Sequence, residues 1–73
     1  MTPVLYAEDE EDDVFFMKLA WEDAQLPNPL VSVRDGQQVI DYLAGRGPYA
    51  DRQTFPLPGL LLLQLPLQHA DVR

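Results

Sequence analysis

The stretch that most constrains this chain is Val4 to Asp13, reading VLYAEDEEDD. Four mostly apolar residues run directly into six consecutive carboxylates, Glu8, Asp9, Glu10, Glu11, Asp12 and Asp13. Val4-Leu5-Tyr6-Ala7 reads as a short strand buried on both faces, the habit of parallel sheets. Such a strand delivers its acids to one end of a sheet, where they repel each other unless a cation or a partner neutralises them. Half of the chain's twelve acids occupy these six positions. The plainer reading is a solvated acidic loop, some of whose carboxylates cap the next helix.

From about Asp12 the pattern turns helical. Phe16, Ala20 and Ala24 recur at four-residue spacing with Met17 and Trp21 beside them, a stripe read most simply as core. Acids at the start of this helix suit its dipole, whereas Glu22 and Asp23 near its end suit it less well. Pro27 and Pro29 stop it. Leu30 to Arg34 reads as a second short strand and Asp35-Gly36 as a turn. Val39, Ile40 and Leu43 mark one face of a helix over roughly Gln37 to Ala44, with Gly45 at its C-cap. Residues 46–59, RGPYADRQTFPLPG, form a connection long enough to be either functional or mobile. Leu60 to Leu65 is a third buried strand, and Pro66 to Arg73 shows no usable periodicity.

Seventy-three residues allow one small domain, spanning 1–73, with a core that is marginal without help. With no cysteine, neither a disulfide nor a thiolate metal site supplies that help. A hydrophobic content of 47% is globular rather than disordered. A net charge of −7 argues against nucleic acid, whose phosphates it would repel. Met1-Thr2-Pro3 lacks the basic flank and apolar run of a signal peptide, and Leu60 to Leu63 is too short to span a bilayer. The expectation is a cytoplasmic protein.

The order β-α-β-α-β implies an α/β fold with a parallel sheet and helical crossovers. Right-handed crossovers then give strand order 2-1-3 with the helices on opposite faces. The first and third strands flank a topological switch point, where α/β folds place ligands at the carboxyl ends of strands. Glu8, Asp9 and whatever ends the third strand belong there.

VLYAED, the helix containing VFFMKLAWEDA, VRDGQQVIDYL, the loop GRGPYADR and the run PLPGLLLL together resemble the N-terminal half of a response-regulator receiver domain, over about residues 3–63. The variety they are most similar to is the single-domain, long-loop receiver found beside bacterial phytochromes. The resemblance implies a CheY-like (flavodoxin-like) fold cut short before its fourth and fifth strands. It also implies a role in two-component signalling, in which a sensor histidine kinase passes a phosphoryl group to an aspartate ending the third strand, assisted by Mg²⁺. Glu8 and Asp9 match the family's metal-binding acidic pair. A hard, octahedral Mg²⁺ wants such oxygen ligands. An EF-hand reading fails, because the run enters Val14-Phe15-Phe16 with no loop glycine, and Asp12 and Asp13 are helix-start acids.

The third strand departs from the family. Gln64 occupies the phosphoacceptor position, and moving the register to align Pro66 with the family proline puts Leu62 there instead. Neither is a carboxylate nucleophile. Asp71 lies seven residues further on, and His69 is a lone tail histidine, read as a surface residue. The sequence therefore predicts a degenerate or truncated receiver, not an enzyme, with a vestigial and weak Mg²⁺ site at Glu8 and Asp9. The divergent tail, 64–73, fits a truncated or frameshifted product as well as a half-receiver. The alternative is an interaction half-domain that pairs through its exposed third strand, including by self-association. No Ser/His/Asp set, phosphate loop or zinc spacing supports an independent enzyme. An exposed leucine edge also predicts poor solubility or molten behaviour.

Overall fold

In the computed structural model, which describes residues 1–64, the chain runs β1 (Val4–Ala7), α1 (Glu11–Asp23), β2 (Leu30–Val33), α2 (Gly36–Ala44) and β3 (Leu60–Leu63). A single 3-10 turn, Gly47–Tyr49, precedes the last strand. Leu65, expected as the end of the third strand, and Pro66, His69 and Asp71 lie outside the described residues. The strands are parallel in the order β2-β1-β3, as the alternation of elements predicts. This is the partial CheY-like α/β arrangement expected from the sequence.

The central strand is the most buried, with Leu5 and Ala7 fully enclosed and Tyr6 only 2% exposed. Leu5 is level with Val31 and Leu61, and Ala7 with Val33 and Leu63. Leu5, Ala7 and Val33 pack against Val39 and Tyr42 of α2, and Val31, Tyr49, Phe55 and Leu61 close around them. Successive strand residues point to opposite faces, so Tyr6 and Ser32 belong to the other side. There Val14 of α1 stands by Ser32, and Trp21 by Leu30. The two helices thus cover opposite faces.

Each helix, however, buries a different stripe from the one expected. In α1 no residue is fully buried. Val14, Met17 and Trp21 are half-buried toward the sheet, while Phe16 is 62% exposed and Ala20 and Ala24 are exposed as well. Three short strands with one helix on this face offer only one side for α1 to cover, so the Phe16 side meets solvent. In α2 the buried pair is Val39 and Tyr42, one turn apart, and Ile40 and Leu43 are turned outward. The connection 46–59 is folded down onto the core. Tyr42, Tyr49 and Phe55 form an aromatic triad with centroids 5.1 to 5.9 Å apart. Arg52 donates to the carbonyl of Leu43 at 2.7 Å, capping α2, and to that of Phe55 at 3.1 Å.

At its start α2 is capped by Asp35, whose Oδ1 accepts from the Gln38 N–H at 2.8 Å. Gln38 in turn accepts from the Arg34 N–H at 2.7 Å, which ends β2 one residue early, at Val33. Both helices finish in the same way. The Gly45 N–H donates to Tyr42 and the Arg46 N–H to Asp41; likewise Gln25 donates to Glu22 and Leu26 to Trp21. This pattern needs a left-handed residue, Gly45 at φ 70° in one helix and Gln25 at φ 55° in the other. It is this turn, rather than Pro27, that ends α1 at Asp23. Glycine adopts that conformation without the steric penalty of a Cβ. Gln25→Gly is therefore expected to stabilise the fold by about 0.5–1 kcal/mol, and Gly45→Ala to destabilise it by about 1 kcal/mol or more. The added Cβ of the second variant would also stand 3.0 Å from the Arg52 guanidinium. Urea denaturation of the two variants beside the parent checks both signs.

Candidate functional site

A parallel sheet gathers the carboxyl ends of its strands at one end, and here the backbone ties them together. The Glu8 N–H donates to Val33 O at 3.0 Å, and the Gln64 N–H donates to Ala7 O at 2.9 Å. Glu8 follows Ala7 and Gln64 follows Leu63, the last paired residues of β1 and β3. Gln64 thus stands level with Glu8, on the side of β1 away from β2.

The two acids of the expected pair differ in environment. Glu8 is 5% exposed, the one buried charged residue among those described, whereas Asp9 is exposed. Burial of a carboxylate is tolerable only where donors replace water. The Glu10 backbone N–H donates to Oε2 at 3.0 Å, and the Tyr6 hydroxyl donates to Oε1 at 3.4 Å. Burial pushes the Tyr6 hydroxyl above its ordinary pKa of 10.0; the negative charge of Glu8, the hydrogen bond to it and the charge of Asp13 push the same way. A tyrosine with a raised folded-state pKa binds its proton more tightly folded than unfolded. Its stabilising contribution is complete below about pH 10 and is lost as pH rises through the folded value. Tyr42, raised chiefly by burial, acts in the same window. Unfolding free energy is therefore expected to hold up to about pH 10 and to fall above it, with a shallower fall in Tyr6→Phe. Denaturation series across that range provide the measurement.

Glu8 and Asp9 line a cleft of about 190 Å³ together with Glu11, Val14, Ser32, Val33 and Arg34. The cleft lies between the ends of β1 and β2, so it adjoins Glu8 on the side opposite Gln64. Ser32 and Arg34 are members that sequence reasoning missed. The signal was available, because in a parallel sheet the residue after the second strand ends beside the residues after the first. Glu11, Asp12 and Asp13 occupy the first turn of α1, where the helix dipole favours them.

The donor set does not fit a tightly held Mg²⁺. Among the described residues no three His, Cys, Asp or Glu side chains converge as a metal would require. Glu8 already accepts two hydrogen bonds and Asp9 adds one exposed carboxylate, while Gln64, level with Glu8 in the backbone, carries a neutral amide. Chemically, the arrangement presents a localised negative end to the sheet with no carboxylate at the end of β3.

No protein-family model matches the chain. No curated protein matches it either. Among solved structures it is similar to the response regulator in red light signalling of R. palustris, with a TM-score of 0.81 and 36% sequence identity. That match covers 86% of this chain and 44% of the other, so the chain spans less than half the length of this relative. The likeness to a response regulator read from the sequence thus holds in three dimensions. No described helix is long and apolar enough to cross a membrane.

Proposed function

We propose that this chain is a receiver-type module of two-component signalling that does not itself accept a phosphoryl group. The observation that carries the reading is the place of Gln64, directly after β3 and level with Glu8, within a fold similar to a response regulator at 36% identity. Attack on a phosphoryl group from a sensor histidine kinase calls for an oxygen nucleophile that can carry the resulting acyl phosphate. A glutamine amide is not such a nucleophile. Glu8 and Asp9 are the remnant of a cation site, able to attract Mg²⁺ weakly. The partner class is a histidine kinase, the compartment is the cytoplasm, and the role is in binding rather than catalysis.

The test is phosphotransfer from radiolabelled ATP through a cognate kinase, with Mg²⁺ in excess. The expected result is no acid-stable, base-labile label on this chain, while the kinase itself labels normally. Appearance of that label would sink the reading of Gln64.

A further inference from the structure

We propose that Tyr6 is a positioning residue whose hydroxyl holds the Glu8 carboxylate back from a cation, so that the misfit of this end of the sheet to Mg²⁺ is built into β1. This deepens the remnant-site reading of Glu8 and Asp9 and rests on it. All the groups involved belong to β1 and the turn into α1, and none lies near β3 in the sequence.

Spacing brings the two side chains together. Residues two apart along a strand point to one face, so Glu8, directly after β1, falls on the same side as Tyr6. There the Tyr6 hydroxyl donates to Glu8 Oε1 at 3.4 Å. The other oxygen, Oε2, accepts at 3.0 Å from the N–H of Glu10, the residue that opens α1. Both oxygens of a buried carboxylate are therefore engaged, whereas Asp9 beside it is exposed. A hydrated cation meets Asp9 freely and Glu8 only by displacing a donor.

Burial makes that displacement costly. Tyr6 is as enclosed as Glu8, and among the described residues no buried side-chain nitrogen or oxygen lacks a partner. A cation that draws Oε1 away leaves the Tyr6 hydroxyl with neither carboxylate nor water. An unmet buried donor costs more free energy than an ordinary hydrogen bond contributes. Tyr6→Phe reverses this balance. The ring stays, the hydroxyl goes, and Oε1 is now the group left without a donor when no cation is bound. The contact from the Glu10 backbone persists in either case. A hydroxyl that instead supported a ligating carboxylate from behind would strengthen cation binding, so the two roles differ in the sign of the effect.

Mg²⁺ itself is the probe, titrated to tens of millimolar against the full chain and followed by the amide shifts of Asp9 and Glu10. Tyr6→Phe is expected to tighten binding by about threefold or more. Adding Glu8→Gln to that variant should remove the gain. A residue that only supports the fold would weaken binding on removal, not tighten it. If Tyr6→Phe does not fold, the Gln64→Asp variant decides, because Mg²⁺ should move the Tyr6 Cζ carbon resonance as the hydroxyl loses its carboxylate. Equal or weaker affinity in Tyr6→Phe, a gain that survives Glu8→Gln, or a Tyr6 Cζ resonance that Mg²⁺ does not move would each overturn the proposal. Unchanged affinity in Tyr6→Phe beside a gain in Gln64→Asp would remove this role of Tyr6 alone. A gain in Tyr6→Phe with none in Gln64→Asp would leave Tyr6 in its role and take Gln64 out of the remnant site.

Discussion

Replacing Tyr42 with alanine is expected to abolish cooperative unfolding of this chain at room temperature. Tyr42 is fully buried and forms the hub between α2, the sheet and the connection that precedes β3. Its ring meets Tyr49 at 5.1 Å and Phe55 at 5.9 Å, and its hydroxyl donates to Pro56 O at 2.8 Å. Truncating a buried aromatic side chain removes its transfer free energy and leaves a cavity, a loss of about 3–5 kcal/mol. At ~0.05–0.15 kcal/mol per residue, the whole chain is stable by only about 4–11 kcal/mol. The loss is therefore comparable to the total at the lower end of that range. Tyr42→Phe separates the ring from the hydroxyl. It keeps the triad, forfeits one hydrogen bond, and should lose about 1 kcal/mol. Urea titrations followed by circular dichroism distinguish the two variants. A cooperative transition for Tyr42→Ala within 1 kcal/mol of the parent would mean that the connection 46–59 does not hold α2 to the sheet through this residue.

That hub was not legible in the sequence, although most of the fold was. Short apolar runs at Val4, Leu30 and Leu60 gave three strands whose starts match the structure, and alternation with two helical patterns gave the order 2-1-3. What pattern reading could not supply was the choice of face on a short helix. Val39, Ile40 and Leu43 are more apolar than Tyr42, but Tyr42 can bury its ring because Pro56 O accepts from its hydroxyl. That acceptor is fourteen residues away, beyond the reach of any local periodicity. Arg52 as the cap of α2 is hidden for the same reason. At the candidate site, strand ends in a parallel sheet made the neighbourhood of Glu8, Asp9 and Gln64 readable. The division of labour between the two acids was not, because it depends on Tyr6 and the Glu10 N–H reaching back to Glu8.

Restoring a carboxylate at the end of β3 with Gln64→Asp is expected to raise Mg²⁺ affinity by more than tenfold. The parent end of the sheet offers the cation an engaged Glu8 and an exposed Asp9, and the level position across from Glu8 holds a neutral amide. Hard cations are selected by charged oxygen ligands, so one added unit of ligand charge at that position should contribute ~1.4 kcal/mol or more. The parent is expected to show no appreciable binding at millimolar Mg²⁺. Amide shifts of Glu8, Asp9 and Glu10 are the suitable reporters, since they lie at the strand end itself. Trp21 is less suitable, because it stands ten residues beyond the start of α1, or about 15 Å along the helix, with its indole N–H held by Asn28 O. Glu8→Gln in the Gln64→Asp background should reverse most of the gain if the two side chains share one ion. Equal affinities in the parent and Gln64→Asp would place Gln64 outside any cation site formed by Glu8 and Asp9, and would remove the remnant-site reading with it.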